Sequence, residues 1–159
     1  MDEMDLRIVK LLSTHGRISH EEIGKGVHLS RPAVFERIKR LEAKGIIYGY
    51  GAKVDWEAIG LPLTAFVWVR YANKGDTTGR KIAGIEVEGA VLEDLYRVTG
   101  EWCLFAKYHV ASPAALQRIL DQIRSFPEVQ NTMTTIALSS LVEGQERRMG
   151  DPALPSLAG

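Results

Sequence analysis

Residues 19–50, SHEEIGKGVHLSRPAVFERIKRLEAKGIIYGY, constrain this chain more than any other stretch. Ser19 followed three residues later by Glu22 is a capping box, so a helix begins there, with Ile23 and Val27 as its buried positions. Ser30 caps the next helix and Pro32 sits in its first turn, where a missing N–H costs nothing. Val34, Ile38 and Leu41 recur at i, i+4 and i+7 and face a core, and Gly45 closes the helix. Two short helices joined by a tight turn, the second strongly basic, are the means by which a protein presents a helix to the major groove.

A preceding helix is expected over about 2–14, where Met4, Ile8, Leu11 and Leu12 form one apolar stripe, ended at His15 and Gly16. Gly24 lies where a close approach requires a small residue. After Gly45, residues 46–50 and 52–54 read as two short strands turning at Gly51, a wing beside the helices. Tyr48 and Lys53 are then candidates to touch sugar-phosphate, whereas Tyr50 is expected to pack against the helices.

A net charge of zero argues at first against nucleic acid, but its distribution does not. Residues 1–55 hold ten Lys and Arg against eight Asp and Glu, and residues 31–44 hold five bases against two acids. The positive charge is focused where a groove-reading helix needs it. On the helical wheel Arg31, Phe35 and Lys39 share one flank, Arg37, Arg40 and Lys44 the other, with Pro32 and Glu36 pointing away from the core. Arg31 is suited to guanine, Phe35 to a thymine methyl and Glu36 to cytosine N4, while Lys39 and Arg40 are suited to phosphate. The candidate DNA-contacting set is therefore Ser30, Arg31, Pro32, Phe35, Glu36, Lys39 and Arg40. Arg37 has a structural alternative, an ion pair with Glu42 or with the first helix.

The rest of the chain changes character. Residues 56–61 read as a hinge. Residues 63–71 alternate as a strand with two largely apolar faces, followed by a polar loop over 73–78 and a weakly marked helix within 80–87 that contains Gly84. Strands are expected over 91–99 and 102–110, a helix opened by Ser112 and Pro113, and a last strand over 129–140. The order βαββαβ is that of the ferredoxin-like plait, so the fold class is α+β: a winged helix-turn-helix over 1–55, then a ferredoxin-like domain over 62–142. Two helices cover one sheet face, and a second copy is the simplest cover for the other. Residues 143–159, rich in Gly, Pro and Ala, read as a flexible tail.

Catalytic signatures are not found. His15, His20, His28 and His109 are scattered, Cys103 has no evident base beside it, and no phosphate loop is present. One cysteine fits the cytoplasm, and the apolar runs are far short of a membrane span.

Four stretches in register, MDEMDLRIVKLLSTHGRIS, LSRPAVFERIKRLEAKGIIYGY, LEDLYRVTGEW and FPEVQNTMTTIAL, resemble the Lrp/AsnC (feast/famine) transcription regulators across about residues 1–142. The resemblance implies DNA binding, a RAM/AsnC-type second domain, a homodimer built from back-to-back sheets that can assemble to an octamer, and an amino-acid effector rather than a cofactor. It implies an effector site near Thr99, Gly100, Glu101, Trp102 and Cys103, between dimers. Three positions depart from the family pattern: His28 stands where glycine is usual, Glu36 where a basic or neutral residue is frequent, and Cys103 where an Asp is usual. Glu101 is the candidate to substitute for that carboxylate. Two rival functions remain: an architectural DNA-binding protein without an effector, and an enzyme akin to the sirohaem decarboxylases, whose histidine-bearing strand residues 104–109 resemble.

Overall fold

The computed structural model describes residues 1–72 and 77–140. The chain divides into two compact units, the first running from Met1 to Val54 and the second beginning at Asp55.

The first unit is three helices: α1 (Glu3–Thr14), α2 (His20–Val27) and α3 (Arg31–Ala43). Ile8, Leu11, Ile23, Val27, Val34, Ile38 and Leu41 form its core. Its caps are those that the local residue pattern demands. Asp2 and Asp5 make a reciprocal capping box at α1, and Ser19 and Glu22 make another at α2. Gly45, at φ 66°, ends α3 with the Ile46 N–H returning to the Leu41 carbonyl and its own N–H to Glu42. Gly16 is not a left-handed cap: His15 ends α1 with φ −129°. A Cβ at Gly24 would lie 2.5 Å from the Leu29 carbonyl oxygen, so the close approach there is to the turn between α2 and α3.

The expected wing does not form. Residues 46–54 contain no strand. Gly49 and Gly51 interrupt them, and two isolated short strands have no third element on which to bury an apolar face. The segment instead runs past the C-terminal end of α1 and lines, with Val9, Leu12 and Ile18, an open groove of about 1110 Å³. Tyr48 is 97% exposed, and Tyr50 is tied only at its tip, its hydroxyl donating to Glu42 at 2.7 Å. Burial and that carboxylate push the Tyr50 hydroxyl up to about 12.

The second unit is β1 (Leu63–Tyr71), α4 (Thr77–Ala83), β2 (Ala90–Arg97), β3 (Leu104–Val110), α5 (Pro113–Ser125) and β4 (Val129–Ile136). The sheet order is β2-β3-β1-β4 with antiparallel neighbours, the ferredoxin-like plait. Ala65, Val67, Val69, Leu104, Ala106, Tyr108 and Val110 point to one face and pack with Ile119 and Ile123 of α5 and Ile82 of α4. α4 starts earlier than the sequence pattern suggests, at Thr77, and stops just before Gly84, which lacks the side chain and the helix propensity to extend it. Strands β2 and β3 are also shorter than expected, because residues 98–103 are consumed by their connection. The first four residues of the expected polar loop over 73–78, and the tail over 143–159, lie outside the described residues.

The opposite sheet face carries Phe66, Trp68, Phe105 and Tyr96. Phe66 and Phe105 stack at 5.7 Å between centroids, and Trp68 meets Phe105 edge-on at 5.1 Å. Among the described residues no helix of the second unit covers these rings, since α4 and α5 both pack on the other face. Farther along this face, residues 56–60 form a turn, and the Trp56 ring stacks on His109 at 4.3 Å.

Candidate functional site

α3 displays Ser30, Arg31, Pro32, Phe35, Glu36, Lys39 and Arg40 on its solvent side, and all seven are exposed. The reason lies in the helical period: Val34, Ile38 and Leu41 take the buried stripe, leaving the other flank outward. Ser30 accepts a hydrogen bond from the Ala33 N–H and fixes the N-terminal turn, the part of such a helix that enters the groove.

The five bases of residues 31–44 do not share one environment. Arg37 donates to Asp2 at 2.6 Å and to Asp5 at 2.7 Å, and Arg40 reaches Asp5 at 3.1 Å. Of the two structural partners open to Arg37, the first helix is the one realised. Burial alone would raise the Asp5 carboxyl, but the Arg37 and Arg40 guanidinium groups outweigh it and hold it below the usual carboxylate range. Arg40 is thus half satisfied by α1, which weakens its expected role as a phosphate grip. Arg31 and Lys39 make no ion pair with any described residue, and they flank Phe35, which is 47% exposed. His20, the first residue of α2, lies 5.7 Å from the Phe35 ring. The pattern of α3 alone does not reveal His20, which belongs to another helix; its position directly after the Ser19 cap is the available signal.

In the second unit, residues 98–103 join β2 to β3. The Val98 N–H donates to the Cys103 carbonyl at 3.1 Å, and the Cys103 N–H donates to Val69 at 3.0 Å, which pins the loop to the end of β1. Gly100 holds φ 105°, a conformation that other residues rarely adopt. Thr99, Gly100 and Glu101 are exposed, while Trp102 and Cys103 are half-buried. Cys103 lies just before β3 rather than within a strand, its thiol 3.7 Å from the Tyr71 carbonyl. Glu101 stands 3.5 Å from Arg70 of β1, which brings a cation to the loop that the residue pattern did not single out. The signal was present: Arg70 is the one charged residue of β1.

The two units match known domain families. An AsnC-type helix-turn-helix domain matches residues 1–42, and an Lrp/AsnC ligand-binding domain matches residues 64–146. The chain belongs to the Lrp/AsnC family. It is 32% identical over 146 residues to the HTH-type transcriptional regulator FL11 of Pyrococcus abyssi, covering 92% of this chain and 95% of that one. The structure of B. subtilis LrpC superposes with a TM-score of 0.74 at 30% identity, over 89% of this chain and 96% of that one. The feast or famine regulatory protein of M. tuberculosis, solved in complex with L-methionine, superposes with a TM-score of 0.76 at 33% identity, over 88% and 93%. A DNA-reading head followed by a ligand-binding domain makes this Lrp/AsnC protein a DNA-binding transcription regulator with an effector.

One departure from the family pattern has a direct structural reading. His28 adopts φ 55° and ψ 43°, the left-handed conformation that glycine would take more cheaply. His109, on the strand resembling the sirohaem decarboxylases, is only 3% exposed. Its ring nitrogens contact Thr64 at 3.2 Å and Glu93 at 2.6 Å, and Trp56 covers its face. That histidine is committed to structure, and the relatives are named as regulators of transcription.

Proposed function

We propose that this Lrp/AsnC regulator reads double-stranded DNA with the N-terminal turns of α3 and answers to an α-amino acid held at residues 99–103. The observation that carries the reading is the division of labour among the α3 bases. Arg37 and Arg40 are drawn onto Asp2 and Asp5, so the positive charge left for DNA is concentrated on the flank of Arg31 and Lys39, around Phe35. Arg31, Pro32, Phe35 and Glu36 are assigned to base edges, and Ser30, Lys39 and the exposed side of Arg40 to the backbone.

The aromatic face of Phe66, Trp68 and Phe105 supports a homodimer formed back to back. It is an apolar patch that two copies of the same sheet cover reciprocally. Thr99, Gly100 and Glu101 of the loop lie exposed at the sheet's end. Enclosing an effector at that loop therefore calls for a second surface, which a neighbouring dimer supplies in an octamer. Effector binding between dimers shifts the assembly equilibrium and with it the number of α3 helices engaged on one duplex, a coupling of about 1–3 kcal/mol. We place the regulator in the cytoplasm, requiring no cofactor and having no catalytic role.

The test is thermal unfolding of the full chain with each of the twenty amino acids, followed by DNA binding with any that stabilise. A ligand at about 100 times its dissociation constant adds roughly 2.7 kcal/mol. A hit that also changes DNA affinity supports the reading; a flat panel returns the chain to the effector-independent architectural role.

A further inference from the structure

We infer that Trp56 is a positioning residue for DNA reading: stacked on His109, it clasps the stretch where the chain enters the second unit, and so fixes the spacing at which two reading heads engage one duplex. This rests on the reading of the chain as a homodimeric DNA reader and names the side chain that limits the reach of each head.

The second unit begins at Asp55, directly after the first ends at Val54. From Tyr48 to Gly60 every residue is exposed except Trp56, which is half-buried. The turn around it closes on itself. The Leu61 N–H donates to the Trp56 carbonyl at 2.8 Å, the Gly60 N–H to the Glu57 carbonyl at 3.0 Å, and the Ala58 N–H to the Asp55 carboxylate at 3.0 Å. Those bonds lie within the turn. The Trp56 ring reaches out of it to the sheet, 4.3 Å from the His109 ring and within 10° of parallel.

The receiving ring is built to stay in place. His109 is 3% exposed, its Nε2 lies 2.6 Å from Glu93 and its Nδ1 3.2 Å from the Thr64 hydroxyl, so the ring cannot turn without breaking a contact. Glu93 is held in turn by Lys107 at 2.7 Å, and the bulge in β2 between Leu92 and Asp94 is what brings it to both partners. A bulge, an ion pair and a buried imidazole thus converge to present one flat surface, and Trp56 lies on it. A stacked aromatic pair favours the closed arrangement about two- to tenfold beyond what its buried area contributes.

Release has a definite consequence. With Trp56 lifted, the next buried side chain is Leu61, so residues 55–60 join the tether of the reading head. Extended, that stretch spans ~20 Å, more than half of one duplex turn of about 34 Å. Clasped heads meet half-sites at one separation, whereas released heads meet them at several. The clasp acts on the distance between half-sites and leaves the bases read within each unchanged.

The experiment is selection from a random-sequence duplex pool by the full chain as wild type, Trp56→Ala and Trp56→Phe, with hydrogen exchange and sedimentation of each. Wild type is expected to select two inverted copies of one short sequence at a single spacing. Trp56→Ala is expected to select the same half-site at several spacings, with the Gly60 and Leu61 amides exchanging about tenfold or more faster. Trp56→Phe, which keeps an aromatic face on His109, should stay close to wild type in both. A single spacing retained by Trp56→Ala, or unchanged exchange at residues 55–61, overturns the clasp and leaves the dimeric reader standing. An altered half-site sequence overturns it too, by placing the effect in the head. A Trp56→Ala protein that sediments as a monomer reassigns Trp56 to the dimer interface. A wild type that selects one unpaired half-site removes the dimeric reading and the clasp together.

Discussion

Arg37 and Asp5 are 32 positions apart in sequence and 2.7 Å apart in space, and their contact ties the reading helix α3 to α1. Asp5 is 2% exposed and also accepts from Arg40 and from the Asp2 N–H, so one carboxylate serves two cations and a helix cap. Removing it leaves two guanidinium groups short of a partner. Because both arginines keep some contact with water, Asp5→Ala is expected to cost the first unit about 2 kcal/mol, less than a fully buried pair would. Chemical denaturation followed by circular dichroism measures this.

The same carboxylate sets an acid limit. Its folded pKa lies below the ordinary value of 3.8, so its stabilisation is fully present above that value and is lost as pH falls through the folded pKa. Wild type should therefore lose helix-turn-helix stability as the pH drops below about 4, while Asp5→Ala shows a flatter profile there. Identical acid limbs for the two proteins would show that Asp5 does not carry the effect.

On the reading face, Arg31→Ala should relax sequence preference, with discrimination between bases falling by about 1–3 kcal/mol. Lys39→Ala should weaken all sequences alike and lower the salt dependence of binding by about one counterion. Arg40→Ala should lose less DNA affinity than Lys39→Ala, since Asp5 already shares its charge. Titrations at several salt concentrations against specific and scrambled duplexes separate these three outcomes. Equal losses for Lys39 and Arg40 would return Arg40 to the phosphate contacts.

The helix-turn-helix was legible because its determinants are local: Ser19 with Glu22, Ser30 with Pro32, and Gly45 each act within one turn of backbone. The plait was legible for a similar reason, alternation in β1 and the capped stripe of α5. What escaped depends on partners distant in the chain. Residues 31–44 left Arg37 with two possible partners, Glu42 or the first helix, and nothing in them reveals that Arg40 shares Asp5 with it. The wing failed because strands need neighbours, and residues 46–54 have two glycines and no ladder within the described chain. The bulge between Leu92 and Asp94 brings Glu93 onto Lys107 and His109, a shift of register that the alternation of residues does not announce. The turn at Gly100 and Glu101 between two strands was legible, but the contact of Glu101 with Arg70, 31 residues earlier, was not.

The turn between α2 and α3 offers a test of backbone geometry. A Cβ at Gly24 would stand 2.5 Å from the Leu29 carbonyl oxygen, a backbone atom that cannot swing aside as a side chain does. Gly24→Ala should cost about 2 kcal/mol despite the better helix propensity of alanine. His28→Gly should act in the opposite direction, relieving the left-handed φ of 55° and gaining about 0.5–1 kcal/mol after the added freedom of the unfolded chain is counted. Melting curves of the two variants should move to opposite sides of wild type.

The aromatic face is the proposed dimer interface. Phe105 is the hub, in contact with Phe66, Trp68 and Tyr96, and all four rings lie on the side of the sheet that α4 and α5 leave bare. Phe105→Lys places a charge among them in each copy, so a two-fold interface meets it twice and must bury both. Removing a central aromatic anchor typically costs about 2 kcal/mol or more, and the paired charges add to that. Sedimentation should show the variant as a folded monomer at concentrations where wild type is a dimer. Its DNA affinity should fall as well, because two linked heads bind one duplex more tightly than one head does. A variant that stays dimeric would move the interface off this face, and the effector site between dimers would have to be redrawn with it.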